Sequence, residues 1–278
     1  MQTIDLASPF DAPIYRVPTC PSTMAILREC AGRGAPHGSA VIADEQTAGR
    51  GRIAGRRWES GLPGENLSMS VLWANGEPLP VALPLRVGLA ALLAVEAAFP
   101  SLSGKLALKW PNDILAGVGG LEGAFPPSPA EPFPGWRKLC GILCEGSFDR
   151  VFIGVGANLG TTSFGGALAA KACSVRTLRE ALGETVAADG VSLQNDRDRL
   201  AKALLAQLFR CLGPGYPWVR SVEERLWKKG EAITVEEGMA GSGRFIEGRL
   251  LGIANDGSLR MEVDGRPRAV SCGEFCEL

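Results

Sequence analysis

The chain's 278 residues can bury a sizeable core and still leave room for a small second unit. A formal net charge of −1 gives no support to a globally basic nucleic-acid or membrane-surface binder, so any anion binding must come from local arginine clusters. With one histidine, and eight cysteines that include no Cys-x-x-Cys pair, neither a His-based triad nor a zinc site of the usual spacing is expected.

Residues 1–10 lack the basic start and long apolar core of a signal peptide. After this Pro-punctuated start, Ser22-Thr23 precedes residues 24–31, whose pattern predicts a capped helix ending at Gly32. His37, between Pro36 and Gly38, reads as a loop residue, and residues 40–43 as a strand that delivers the next segment to a sheet edge. That segment, Ala48-Gly49-Arg50-Gly51-Arg52-Ile53-Ala54-Gly55-Arg56-Arg57-Trp58, interleaves glycines with four arginines. Glycine permits close backbone approach and positive φ, and arginine supplies a planar charged fork, so the run describes a flexible anion-binding loop. A solvated basic turn is the plainer alternative.

Residues 67–73 read as a buried strand, and 84–99 as a largely buried helix opened by proline with Arg86 and Glu96 as its only charges. This apolar run is too short to span a bilayer. Strand patterns follow at 105–109, 139–145 and 151–155. Between 116 and 137 the composition shifts to Gly, Pro and Ala around Pro126-Pro127-Ser128-Pro129, which predicts an extended surface loop between two strands. Residues 196–212 form an amphipathic helical pattern closed by Gly213-Pro214-Gly215. Beyond Lys228-Lys229-Gly230 the runs become short and alternating, at 232–235, 244–253, 258–263 and 268–271. Hairpin turns at Asn255-Asp256-Gly257 and Asp264-Gly265 suit a small β-barrel of about fifty residues. The expected organisation is thus residues 1–229 and 230–278, in a reduced, cytoplasmic protein.

Four segments, taken in order, resemble the biotin protein ligases: the Gly49–Arg52 loop; Lys109-Trp110-Pro111-Asn112-Asp113; Lys138-Leu139-Cys140-Gly141-Ile142-Leu143-Cys144-Glu145; and Ile153-Gly154-Val155-Gly156-Ala157-Asn158-Leu159. The resemblance implies an α/β fold, a mixed β-sheet with flanking helices, plus a C-terminal SH3-like β domain. It implies ATP-dependent formation of biotinyl-5′-adenylate, with Mg²⁺, and transfer of biotin to a lysine of a biotin carboxyl carrier protein domain.

By the same resemblance, Arg50 and Arg52 bind the acyl-adenylate, and Gly49, Gly51 and Gly55 let the loop fold over it. Trp58 packs on the adenine, a core position being the alternative. Lys138 contacts the reacting carboxylate and phosphate; its place at the start of an apolar strand makes the charge costly unless partnered. With Arg50 and Arg52 it completes the catalytic set. Lys109, Asn112 and Asp113 position phosphates, with Asp113 the candidate magnesium ligand, or else they are a strand-end turn. Ser22, Thr23 and Gln46 bond the biotin head group, although an N-cap role explains Ser22 or Thr23 equally. Gly141, Gly154, Gly156 and Asn158 line pocket and nucleotide, strand packing being the alternative.

Three departures stand out. Pro21-Ser22-Thr23-Met24 replaces the family's acid followed by Ser-Thr-Asn, the arginine loop carries one extra residue at Ile53-Ala54, and about eighteen residues are inserted between Asp113 and Lys138. Lipoate and octanoyl ligases share the fold, but their Arg-Arg-x-Ser/Thr-Gly-Gly-Gly loop is absent here. A non-catalytic binding homologue is the third reading. Only about twenty residues precede Ser22, too few for a winged helix-turn-helix, so the monofunctional type is expected, with no DNA or membrane partner. A homodimer is left open.

Overall fold

The computed structural model describes residues 1–53, 55–59, 61–119, 135–147, 149–187 and 189–276. Eight strands, β1 (Gln2–Ile4), β2 (Ile14–Cys20), β3 (Ala40–Gln46), β4 (Leu67–Trp73), β5 (Leu106–Lys109), β6 (Asp113–Gly117), β7 (Trp136–Ser147) and β8 (Arg150–Ala157), pair in the order β1-β2-β3-β4-β8-β7-β6-β5. The β2–β3 pair is parallel and its neighbours in the ladder are antiparallel, so the sheet is mixed. The helices are α1 (Thr23–Gly32), α2 (Leu83–Ala98), α3 (Val175–Ala181), α4 (Gly190–Leu212) and α5 (Trp218–Glu223).

Strand β4 is buried at all seven positions because it is central and covered on both faces. On one face Met69 and Val71 join Ile42, Ile153 and Val155 beneath α2 and α4. On the other, Leu72, Val41, Ala43 and Phe152 pack under Met24, Leu27 and Ala31 of α1. Helix α2 starts from Ala82 with no side-chain cap, and Pro84 in its first turn removes an N–H that would have had no helical partner. Helix α4 is capped by Asp189, whose carboxylate accepts from Val191 N and Ser192 N.

Several elements extend or correct the sequence reading. β1, β2, β6, α3 and α5 were not anticipated, and α4 begins at Gly190, not at residue 196. β3 lies third from the edge of its sheet, so the arginine loop leaves the end of an interior strand. Ala116 and Gly117 belong to β6, while Trp136 and Arg137 open β7, with Arg137 buried. Residues 120–134, which hold most of the Pro/Gly-rich run, lie outside the described residues, as does Ala54.

The C-terminal strands β9 (Ala232–Glu237), β10 (Phe245–Ile253), β11 (Leu259–Val263), β12 (Arg266–Val270) and β13 (Gly273–Phe275) form an antiparallel sheet in the order β12-β11-β10-β9-β13. The two hairpin turns fall where expected, but β12 and β13 end the ladder and the sheet is not closed into a barrel. Its inner residues Val235, Leu250, Met261 and Phe275 continue the apolar cluster of the large sheet. Polar contacts fix the union: Trp110 Nε1 donates to Gly257 O at 3.0 Å, and Glu223 of α5 accepts from Ile253 N at 3.0 Å.

Buried Arg86 on α2 donates to Cys211 O through Nε (2.9 Å) and Nη2 (2.6 Å), and to Gly213 O at 3.0 Å, satisfying carbonyls at the end of α4. Arg86→Met is expected to lower stability by roughly 2–3 kcal/mol, because it strands buried acceptors; a urea midpoint equal to wild type would remove this role. The eight cysteines are free thiols. Burial pushes Cys140 up to about 12, against a weaker downward pull from Lys138. A raised thiol is ionised only above its own pKa, so at pH 8 Cys140 stays in the unreactive thiol form. Iodoacetamide at that pH is expected to modify exposed Cys272 and spare Cys140, as read by peptide mass spectrometry; Cys140 alkylated as fast as Cys272 in the folded chain would refute its burial.

Candidate functional site

One cavity of about 930 Å³ gathers nearly all the residues singled out in the sequence. Ser22, Thr23 and Gln46 line one part, and Gly141, Gly154 and Gly156 another. Lys109, Asn112, Asp113, Lys138 and Asn158 meet them, and Arg50, Gly51, Arg52, Gly55 and Trp58 come from the loop. Gly49 is the exception, standing behind Trp58: its carbonyl accepts Trp58 N at 3.2 Å, and a Cβ there would sit 2.6 Å from Trp58 O.

The three strand glycines each make room for a side chain. A Cβ at Gly156 would lie 2.5 Å from the Trp58 ring, one at Gly154 would lie 3.0 Å from Met24 Cε, and one at Gly141 would lie 3.3 Å from Lys138 Nζ. Gly141 and Gly156 face each other in register across β7 and β8, forming a side-chain-free floor. Trp58 is therefore a half-buried ring laid on glycine, not a core tryptophan. Its buried Nε1 has no hydrogen-bond partner among the described residues.

At the start of α1, Ser22 holds the N-cap position yet makes no side-chain capping bond. Thr23 turns inward: its N and Oγ1 donate to Gln46 Oε1 at 2.8 and 3.1 Å, and Oγ1 meets Ser70 Oγ at 2.8 Å. This polar corner is built on α1, β3 and β4, so Thr23 is not a cap. Ser70 had no motif to announce it.

Lys138 owes its direction to a β-bulge. Ile114 pairs with Cys140 but Leu115 pairs with Lys138, so Leu139 is an extra residue in β7. Strict alternation would set Lys138 and Gly141 on opposite faces of the strand; the bulge restores them to one. The ammonium then meets Asp113 Oδ1 at 2.7 Å, the partner that a half-buried lysine needs. Asn112 ties the preceding turn to β7, donating Nδ2 to Ile142 O and accepting from Ile142 N, both at 2.9 Å. The bond before it, Trp110–Pro111, is cis. Lys109 is buried beside this turn. Asn158 donates Nδ2 to Cys173 O at 3.0 Å, so its amide also fastens the wall. Lys171 adds a cation that no motif marked, and Arg57, the last arginine of the loop, adds another for which no separate role was expected.

The arginine loop is a stapled ribbon. Gly51 N donates to Arg56 O at 2.9 Å, and Arg50 bridges to Arg57. Of its three glycines only Gly55 has positive φ, at +84°; Gly49 and Gly51 serve close approach instead. Each guanidinium has an internal acceptor. Arg50 pairs with Glu145 at 2.9 Å, Arg52 donates to Gly273 O at 3.2 Å, Arg56 pairs with Glu274, and Arg57 donates to Thr47 O at 2.8 Å. Glu145 closes the third motif, but nothing in the sequence singled out Glu274.

Residues 17–158 match the biotin/lipoate A/B protein ligase family. The bifunctional ligase/repressor BirA of Bacillus spizizenii is 35% identical over 147 residues, 51% of this chain and 39% of that protein; the match thus spans about two-fifths of that relative's length. The biotin–[acetyl-CoA-carboxylase] ligase of Mycobacterium tuberculosis is 30% identical over 273 residues, 92% of this chain and 86% of that protein. The biotin protein ligase of Aquifex aeolicus, solved in complex with biotin and ATP, superposes with a TM-score of 0.66 at 24% identity, covering 95% of this chain and 97% of that one. That likeness fixes the fold, a mixed sheet with flanking helices. The ordered motifs, the shared cavity and a relative aligned over nearly the whole length agree: the chain belongs to the biotin/lipoate A/B protein ligase family.

Proposed function

We propose that the protein is an ATP-dependent ligase that joins biotin to a lysine of a biotin carboxyl carrier protein domain. The observation that carries this reading is the Lys138–Asp113 pair in the same cavity wall as Trp58, Arg50 and Arg52. A carboxylate oxygen of biotin attacks the α-phosphorus of ATP, and the bond to pyrophosphate breaks. The carrier lysine's neutral amine then attacks the acyl carbon, AMP leaves, and the amine proton passes to solvent. Such chemistry asks for charge neutralisation and alignment more than for acid–base groups.

Lys138 would neutralise charge growing between carboxylate and phosphate, and the glycine at 141 keeps its ammonium unobstructed. Trp58 would offer a flat face to adenine, and Gly154 and Gly156 would admit ligand to the sheet. The Ser22, Thr23, Gln46 and Ser70 corner suits a polar ureido head, beside the thioether of Met24. Lys109, Asn112 and Asn158 would line the phosphate path, and Arg50 and Arg52 with Gly49, Gly51 and Gly55 would close over the adenylate. Asp113 lies in the wall beside Lys138, and no group of three or more His, Cys, Asp or Glu that could hold a metal occurs among the described residues. The residues therefore fit magnesium as an ion carried in on nucleotide phosphates, with Asp113 lending one carboxylate. When bound there it would screen phosphate charge.

The C-terminal sheet is the counterpart of the family's SH3-like domain, residues 1–229 form the catalytic unit, and the compartment is the reducing cytoplasm. No helix among the described residues is long and apolar enough to cross a membrane. Neither DNA nor membrane is a partner in this proposal.

Incubation with ATP, magnesium and each of biotin, lipoate and octanoate, read by mass spectrometry, is expected to give biotinyl-adenylate alone. Adenylate only from lipoate or octanoate would overturn the biotin assignment, and none at all would favour a binding protein. Lys138→Ala should remain folded and lose roughly a hundredfold in adenylation rate, the usual loss for one charge contact to the reacting centre. Wild-type adenylation by that variant would take Lys138 out of the chemistry.

A further inference from the structure

The arginine loop is held from both sides, by the last residue of the third motif and by a strand outside all four motifs. Toward the large sheet, Glu145 accepts from Arg50 at 2.9 Å and also from Arg28 of α1. Toward the C-terminal sheet, Arg52 and Arg56 both reach β13. Arg52 Nη2 donates to Gly273 O at 3.2 Å and lies 3.9 Å from Glu274 Oε2, and Arg56 Nη1 pairs with Glu274 Oε1. Because Gly51 N is bonded to Arg56 O, the two arms of the ribbon move together, and one carboxylate engages both.

The post to which they are tied is itself fixed. β13 pairs with β9 from Gly273↔Glu237 to Phe275↔Val235. A Cβ at Gly273 would come within 2.4 Å of Glu236 O, so glycine alone permits so close an approach. The Phe275 ring is buried against Trp227 with centroids 5.6 Å apart. Glu274 therefore projects from a rigid strand into the cavity wall, with its side chain 21% exposed, against 35% for Arg52 and 60% for Arg56.

We propose that Glu274 is a positioning residue that holds Arg52 and Arg56 across the cavity before any ligand arrives, so that the C-terminal sheet sets the resting position of the loop. Exposed ion pairs shift an equilibrium by no more than about fivefold. Such a tie orders the ribbon yet yields to a phosphate or carboxylate that binds Arg52 more strongly. Only the kinetic arm of the test rests on the ligation reading.

The tie is tested by trypsin cleavage after Arg52, followed by mass spectrometry without ligands, in wild type, Glu274→Gln, Arg56→Gln and the double variant. Each single change is expected to speed cleavage by up to about fivefold, and the double no further than the faster single, because both cut one tie. Unfolding midpoints equal to wild type certify that the fold is intact. Unchanged cleavage in a folded Glu274→Gln, or effects that multiply independently in the double, would overturn the proposal. In adenylation, Glu274→Gln is expected to raise KM for ATP several-fold with kcat within about twofold. A fall in kcat at constant KM would overturn a positioning role. If wild type forms no adenylate, the ligase reading fails while the cleavage series still decides the tie.

Discussion

The cavity exists because side chains shrink along one face of a sheet that is fully packed on the other. Across β4 and β8 the registered pairs run Leu72↔Phe152, Ser70↔Gly154, Ser68↔Gly156. The first pair is large and lies under α1, while the next two are serine and glycine and leave room above them. The alternate positions, Met69, Val71, Ile153 and Val155, stay large because they carry the core beneath α2 and α4. Period-two alternation lets one strand satisfy both demands, a dense interior below and an open floor above. Larger residues at 154 or 156 would meet Met24 or the Trp58 ring, so the floor is set by exclusion.

On that floor the electrostatics are internally balanced. Lys138 faces Asp113, Arg50 faces Glu145, and Arg52 and Arg56 face Glu274, so a site rich in cations does not repel itself in the absence of ligand. Partly exposed pairs of this kind contribute at most about 1 kcal/mol each. Their weakness suits the site, since an incoming anion exchanges one carboxylate for another acceptor without opening a deeply buried charge. Arg86 contrasts with them: buried and bonded to the Cys211 and Gly213 carbonyls, it serves α4 and not ligand.

The sequence was legible where its information is local. Loop arginines, the Lys109–Asp113 turn and the glycines of β8 all line the cavity because each rests on neighbours in the chain. The pattern at 67–73 and the hairpin turns near 257 and 265 were readable for the same reason. What escaped was non-local. The bulge at Leu139 depends on how β7 meets β6, the Thr23–Ser70 bond on α1 crossing β4, and Glu274 on a strand that closes against β9. β1 and β2 were missed because prolines and isolated polar residues obscure their alternation, which only pairing resolves. The closed barrel was expected from strand number and turns, whereas closure depends on a β12–β13 pairing that those signals do not encode.

The two sheets share one apolar cluster and meet again at the cavity, and this gives the C-terminal strands a role that packing alone would not require. Trp110, next in the chain to Lys109, hydrogen-bonds Gly257 in the β10–β11 turn, while Gly273 and Glu274 receive the loop arginines. Displacement of the small sheet would therefore disturb the Lys109–Asp113 turn on one side and the loop on the other. A buried contact resists such movement and an exposed ion pair does not. The turn is thus held firmly while the loop can exchange partners, a division of stiffness that lets an anion enter without loosening the wall that carries Lys138.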